Sequence, residues 1–186
     1  EYFKLSNEER LKIGIPGIDK TVYTGWNGLT VSAYLCIYWA TGEKELKDFA
    51  LKTIGRLLSD NMRDGRMHHY SDGSPRVPGL LADQVYFAQA LLDAYQTTGV
   101  KSYLEHAETL VNFMKTNLLD LVESGFYYQI DDPHAKGALA DLYKPFNENA
   151  MSVVLLTQLH YLTGNEEYME LAGGALRSIS NPHLLD

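Results

Sequence analysis

Asp83 and Glu148 occupy equivalent places at the start of two segments that are otherwise apolar on nearly every face, and an amide follows each of them, Gln84 and Asn149. A third segment of the same kind puts Trp26 and Asn27 there. Burying an unpaired polar group costs about 1–3 kcal/mol, so a cap, a neighbouring segment, water or a ligand must satisfy these side chains. Two chemistries fit. At helix starts, acids match the helix dipole and Asn or Asp side chains cap or tie the chain. Alternatively the residues line a mouth, where a pair of carboxylates about 5–9.5 Å apart could do acid–base work on a sugar. On the second reading Asp83 and Glu148 are the catalytic pair, and Trp26, Asn27, Gln84 and Asn149 contact substrate.

Other residues could join that mouth. His68 and His69 are adjacent, so in an extended segment their rings point to opposite faces and cannot both hold one metal. One of them, assigned here as His68, would face the cavity as an acid–base or binding group with a near-neutral pKa; the other packs or lies exposed. There are 13 tyrosines and two tryptophans. Tyr86 and Tyr127, with Tyr23, Tyr70, Tyr128 and Tyr143, fall near the same level and could stack on sugar faces or fill gaps between helices. Cys36 sits in an apolar segment and reads as a small core residue. No metal-ligand spacing, Gly-x-Gly-x-x-Gly, Walker lysine or Gly-x-Ser-x-Gly elbow is present, and the reading includes neither metal nor cofactor.

The elements that would position these groups come from an internal repeat. Thr-Gly recurs at Thr41-Gly42, Thr98-Gly99 and Thr163-Gly164. Leu46, Tyr103 and Tyr168 follow each Thr by five residues, and Ala50, Ala107 and Ala172 by nine. Asp83 and its equivalents precede each Thr by fifteen residues, the amides by fourteen. The segments before Thr-Gly are apolar all round, the mark of a helix buried on all sides. Those after it are one-sided, as in Tyr103, Ala107, Leu110, Val111, Met114 and Leu118. Glycine just past a helix end takes positive φ without strain. The chain therefore alternates buried helix, short turn and surface helix.

Stacked hairpins of this kind give an inner and an outer layer. The sequence predicts an all-α fold, a partial (α/α)6 toroid of about three antiparallel hairpins over 26–61, 82–119 and 147–180, after an extended segment over 1–25. A closed six-hairpin ring would need roughly 350–400 residues at this period. The long connections, about 62–80 and 120–146, fall on the face holding the inner-helix N-termini. Each contains a possible short strand, at Arg66–Tyr70 and Gly125–Ile130. The end hairpins each lack a neighbour, which exposes an apolar edge that self-association, the 1–25 segment or a missing domain would cover.

Composition narrows the partners. Acids outnumber bases 24 to 16, for a net charge of −8, with no basic stripe for nucleic acid. No apolar run approaches the ~18–20 residues that span a bilayer. One cysteine and the absence of a signal-peptide pattern favour a reducing, cytoplasmic setting. Glu1 in place of an initiator methionine leads us to expect a fragment of a larger protein.

Asp19-Lys20-Thr21-Val22-Tyr23-Thr24-Gly25-Trp26-Asn27-Gly28-Leu29 resembles the D-x-K-x-L-T-x-W-N-G-L segment of the thioredoxin-domain-containing proteins of the YyaL and spermatogenesis-associated type. Leu81-Ala82-Asp83-Gln84-Val85 is similar to that family's L-x-D-Y-A helix start, with Gln84 in place of tyrosine. Lys144-Pro145-Phe146-Asn147-Glu148-Asn149 is similar to its P-S-x-N segment, with Phe146 in place of serine. The resemblance implies a piece of a six-hairpin, glycosidase-like barrel with a thioredoxin-like domain upstream. It implies a carbohydrate-related role, as a glycoside hydrolase or sugar epimerase, in the full-length protein. The alternative is a non-catalytic helical module that binds a partner or supports the thioredoxin-like domain.

Overall fold

The computed structural model describes residues 2–14, 18–137 and 140–180. The amino-terminal stretch is not simply extended. A short helix, α1 (Asn7–Ile13), starts there because Ser6 and Glu9 form a reciprocal capping box. Residues 1 and 15–17 of that stretch lie outside the described residues.

Three inner helices, α2 (Thr24–Thr41), α4 (Leu81–Thr98) and α6 (Phe146–Thr163), alternate with three outer helices, α3 (Lys44–Asp60), α5 (Lys101–Asn117) and α7 (Glu166–Ile179). Each inner helix ends on the glycine of a Thr-Gly pair. Gly42, Gly99 and Gly164 all take the left-handed conformation, and their N–H groups bond back to Tyr38, Tyr95 and His160. The outer helix begins two residues later, so each pair is antiparallel. The repeated alanines Ala50, Ala107 and Ala172 are buried on the outer helices. Their small side chains let the two layers approach.

The fully apolar reading holds for α4 alone. It buries 11 residues, whereas α2 and α6 bury five each. The reason is position: α4 has an inner helix on either side, and α2 and α6 each have one. Leu29 and Ile37 on α2, and Val154 and Tyr161 on α6, are consequently exposed. Cys36 also lies on the uncovered side of α2 and is exposed, not a core residue.

The connection between α3 and α4 folds as a small antiparallel sheet. Its strands are β1 (Val22–Tyr23), β2 (Met62–Arg63), β3 (Arg66–Ser71) and β4 (Pro75–Pro78), with β3 paired to the other three. Asp64 and Gly65 both have positive φ, which closes the β2–β3 hairpin in the type I′ geometry that matches strand twist. The equivalent place after α5 repeats the pattern in reduced form. Ser124 and Gly125 have positive φ, and a single bridge joins Leu119 to Phe126.

Candidate functional site

The amides fourteen residues before each Thr do not act as N-caps. The capping positions are Tyr23, Leu80 and Pro145, and none makes a side-chain capping bond. Each amide nitrogen instead donates to the carbonyl of its own capping residue: Asn27 to Tyr23 at 2.7 Å, Gln84 to Leu80 at 3.0 Å, Asn149 to Pro145 at 2.9 Å. Gln84 and Asn149 do more. The Gln84 Oε1 accepts from the Met67 N–H at 2.8 Å while its Nε2 donates to the Met67 carbonyl at 3.0 Å. Asn149 holds Phe126 in the same way, at 2.7 and 2.9 Å. Each amide thus clasps the backbone of the strand that leaves the preceding outer helix. Gln84 and Asn149 are fully buried and have no face toward solvent. The tie reading accounts for both.

The clasp sets the parity of β3. With Met67 held against α4, His69 turns to the same side and His68 to the other. The His68 ring contacts the Asn61 carbonyl at 3.2 Å, and burial pushes its pKa down. His69 Nδ1 meets the Asp83 carboxylate at 3.1 Å to Oδ2 and 3.3 Å to Oδ1. The histidine that joins the carboxylate is therefore His69. Knowing that Gln84 grips the strand would have fixed this parity; the His-His pair alone could not.

Asp83 stands in the first turn of α4, is 1% exposed, and also accepts the Gly25 N–H at 2.9 Å. Burial pushes its carboxyl pKa up, against the opposing pull of His69 and the Gly25 N–H. Gly25 leaves room for this: a Cβ there would lie 3.2 Å from Asp83 Oδ1. The His69 side chain is 38% exposed, so the pair runs from the interior to the surface.

Glu148 holds the same place in α6 and accepts a hydrogen bond from the Tyr86 hydroxyl at 3.2 Å. Burial first, and then Glu148, raise the Tyr86 pKa. Tyr86 rises from the turn of α4 next above Asp83, and its ring lies 3.5 Å from the Cβ position of Gly25. Tyr128 ties the two acids into one neighbourhood. Its pKa is raised by burial, by Tyr143, and by the charges of both Asp83 and Glu148. Tyr128 stacks on Tyr143 with centroids 5.1 Å apart.

A second aromatic group flanks His69. Tyr23 lies 4.8 Å from Trp26, 5.5 Å from His69 and 5.8 Å from Tyr70, centroid to centroid. Trp26 is 69% exposed and stands at the rim. Asn27 lies beside it, half-buried. Behind this group Asn61 donates to the Val22 carbonyl and the Thr24 hydroxyl, and Thr24 donates to the His68 carbonyl. These bonds lock β3 to the start of α2. Nothing in the sequence pattern marked Asn61 or Thr24.

Tyr127 belongs elsewhere. It neighbours Tyr128 on an extended stretch and turns the opposite way, donating to Asp120 at 2.7 Å beneath the Lys144 ammonium. Lys144 pairs with Asp120 at 2.7 Å. Burial opposes ionisation of Asp120, but Lys144, the Tyr127 hydroxyl and two backbone N–H groups hold its pKa well below the usual carboxylate range. Tyr127 is pushed up to about 12, chiefly by its bond to Asp120. A cavity of about 740 Å³ opens beside Tyr127, Tyr143, Lys144 and Arg177. Tyr143 lines it, and Asp83 and Glu148 do not. Among the described residues no group of three or more His, Cys, Asp and Glu side chains could hold a metal, and no helix is long and apolar enough to cross a membrane. His183 lies outside the described residues.

No family model matches the chain. It is 25% identical over 171 residues to human spermatogenesis-associated protein 20, an alignment covering 83% of this chain and 22% of that protein. It is 32% identical over 104 residues to an uncharacterised Caenorhabditis elegans protein, 51% of this chain and 14% of that one. The chain thus spans less than a quarter of the curated relatives it matches. Among solved structures, an inactive α-1,6-mannanase variant from Salegentibacter in complex with α-1,6-mannotriose superposes with TM-score 0.73 at 16% identity, over 94% of this chain and 51% of that one. A sugar epimerase from a ruminal bacterium gives 0.68 at 18%, over 86% and 44%, and a D-mannose isomerase 0.65 at 17%, over 85% and 44%. The sequence is similar to spermatogenesis-associated protein 20 over most of its length, and the fold is that of a partial (α/α)6 toroid.

Proposed function

We propose that the long-loop face is a sugar-processing site in which His69 moves a proton and Asp83 positions it. The observation that carries this reading is the contact of His69 Nδ1 with the buried Asp83 carboxylate. A carboxylate on Nδ1 favours the tautomer with its proton there and the lone pair on Nε2, and the His69 side chain is partly exposed. Asp83 at 1% exposure cannot reach a substrate itself, so its role is orientation and charge balance. Glu148, with the Tyr86 hydroxyl on it, supplies a second proton-transfer pair near the same mouth. Trp26 and the Tyr128–Tyr143 stack offer apolar faces of the kind that sugar rings take.

An imidazole base at this mouth suits removal of the proton on the carbon next to the carbonyl of an open-chain sugar. The electron pair passes to the carbonyl oxygen as an enediol(ate), and return of a proton to either face, or to the neighbouring carbon, gives epimer or isomer with no net oxidation. A sugar epimerase and a D-mannose isomerase among the solved structures of similar fold support the class. Hydrolysis by Asp83 and Glu148 acting directly on a glycosidic bond is the second reading, favoured by the several glycoside hydrolase family 76 neighbours. It is the weaker because one of its two carboxylates is enclosed. On a third reading the chain is a cytoplasmic helical module that supports a thioredoxin-like domain.

The test is deuterium exchange. The protein is incubated with D-mannose in heavy water, and loss of the proton at carbon 2 is followed by NMR. His69→Gln should abolish exchange, Asp83→Asn should lower it by about 10²-fold or more, and Glu148→Gln should reduce it less. Release of reducing ends from α-1,6-mannooligosaccharides that survives His69→Gln but not Glu148→Gln would replace this reading with the hydrolytic one. Neither exchange nor hydrolysis, with no sugar-dependent shift in Tm, would leave the non-catalytic module.

A further inference from the structure

The cavity of about 740 Å³ lies apart from the His69–Asp83 pair, and its wall includes Ser124, Glu123, Tyr143, Lys144 and Arg177. Small-molecule sites typically hold about 300–1,000 Å³. The two cations of this wall differ. The Lys144 side chain is 11% exposed and is answered by Asp120 at 2.7 Å and Glu123 at 3.3 Å. Among the described residues Arg177 has no acidic partner. Its guanidinium lies back over α7, with Nη1 3.3 Å from the Cβ position of Gly173 and Nη2 3.9 Å from that of Gly174. A cation in the last turn of a helix can serve the dipole there, but this one reaches back to the turn before its own.

The glycines under it are informative. Glycine inside a helix is unfavourable relative to alanine, so two in succession need a reason. Gly174 receives the Ser124–Gly125 turn, with the Ser124 Cβ 3.1 Å from its own Cβ position. Apart from the helix's own backbone, Arg177 is the one described residue within 4 Å of the Cβ position of Gly173. Room for the guanidinium is what Gly173 provides.

We infer that this cavity binds the oxyanion group, carboxylate or phosphate, of an acidic sugar. The planar fork of Arg177 matches either group with two parallel N–H···O bonds, and its seat on α7 sets the fork in advance. Because Asp120 and Glu123 answer Lys144, Arg177 gives the wall a free positive charge in a chain whose net charge is −8. Tyr143 supplies the place for the sugar ring. It stacks on Tyr128 with centroids 5.1 Å apart and is still 55% exposed, which leaves aromatic surface for the apolar face of a sugar. The sugar part of this inference rests on the reading of the mouth given above. The anion part rests on Arg177 and its seat.

Isothermal titration of the whole chain at fixed ionic strength tests both parts. The probes are inorganic phosphate, D-mannose, D-mannose 6-phosphate and D-glucuronate. At least one acidic sugar should bind about tenfold or more tighter than both D-mannose and inorganic phosphate, and the better of the two assigns phosphate or carboxylate. Arg177→Gln should lower that affinity by about tenfold or more, and Arg177→Lys, which keeps the charge without the fork, should lower it too. Gly173→Ala should raise Tm through helix propensity yet weaken the acidic sugar severalfold, because the new Cβ displaces Nη1. A surface arginine without a site would show the rise in Tm alone, which would overturn the inference. His69→Gln should leave binding unchanged, so failure of the proton chemistry and failure of this site are separate results. Binding of both acidic sugars weaker than about 10 mM, or undiminished binding by Arg177→Gln, would overturn the inference. Inorganic phosphate binding as tightly as either acidic sugar would overturn the sugar part.

Discussion

His69 Nδ1 lies 3.1 Å from Asp83 Oδ2, a contact between a partly exposed ring on β3 and a carboxylate enclosed at the start of α4. Two independent ties make that meeting possible. Gln84, the residue after Asp83, holds Met67 two residues before His69, so the same helix turn that carries Asp83 also sets the strand that carries His69. The Gly25 N–H from α2 then completes the shell of the carboxylate.

The two roles of Asp83 separate by substitution. Asp83→Asn keeps an acceptor for the Gly25 N–H, whereas Asp83→Ala leaves that buried donor unpaired and should cost about 1–3 kcal/mol in urea unfolding. The pH dependence has a definite sign. Because the folded state raises the Asp83 pKa, its contribution to stability is present below the unfolded carboxylate value and is lost as pH rises through the folded one. Asp83→Asn should therefore gain on the wild type as pH climbs past the ordinary carboxylate range. His69→Ala should raise the Asp83 pKa further, read from the carboxyl carbon shift by NMR, since His69 opposes the effect of burial.

Loss of a filled clasp should be among the costlier single changes. Gln84→Leu keeps apolar bulk but strands the Met67 N–H and leaves the Met67 carbonyl with the Gly79 N–H alone, and Asn149→Leu strands both the N–H and the carbonyl of Phe126. Each unpaired buried group costs about 1–3 kcal/mol. At this chain length 1 kcal/mol moves Tm by about 2–4 °C, so calorimetry should show a fall of roughly 5 °C or more in either variant. Gln84→Leu should also impair the His69–Asp83 pair, which Asn149→Leu should spare.

The repeat, the order of hairpins and the glycine stops were readable because each follows from local rules: apolar period, Thr-Gly spacing and left-handed caps. The face on which Asp83, Glu148 and Trp26 gather followed from that register. The finer assignments were not readable. His68 against His69 depends on strand parity, and parity is set by Gln84, whose amide could equally have faced substrate. Tyr127 against Tyr128 is the same problem one repeat later. Asn61 and Thr24 act through single long-range bonds that leave no periodic trace.

The Asp120–Tyr127–Lys144 cluster gives the second connection a window of stability bounded at both ends. Asp120 has a depressed folded pKa, so its contribution is present above the unfolded value and is lost as pH falls through the acid range. Tyr127 has a raised one, so its contribution is present below the ordinary tyrosine value of 10.0 and is lost as pH rises toward about 12. Phenolate absorbance should show Tyr127 among several tyrosines that ionise late in the wild type, with Tyr86, Tyr128 and Tyr168. Tyr127→Phe should reduce that late absorbance by one residue and flatten the alkaline loss of Tm, and Lys144→Met should raise the Asp120 pKa.

Helix approach at the site is the last quantity the sequence encodes directly. A Cβ on Gly28 would lie 2.9 Å from the carbonyl carbon and oxygen of Tyr86, backbone atoms that cannot swing aside. Gly28→Ala must therefore push α2 off α4, which we expect to cost about 1–3 kcal/mol as overpacking. The displaced element is the one that carries the Gly25 N–H to Asp83 and packs against Tyr86, whose hydroxyl bonds to Glu148. Proton exchange on sugar should fall along with stability. Gly55, inside α3 with nothing within 4 Å of its Cβ position, is the control. Gly55→Ala should stabilise by about 0.5–1 kcal/mol through helix propensity alone and leave exchange unchanged. Equal effects from the two substitutions would show that close α2–α4 contact is not what holds the site.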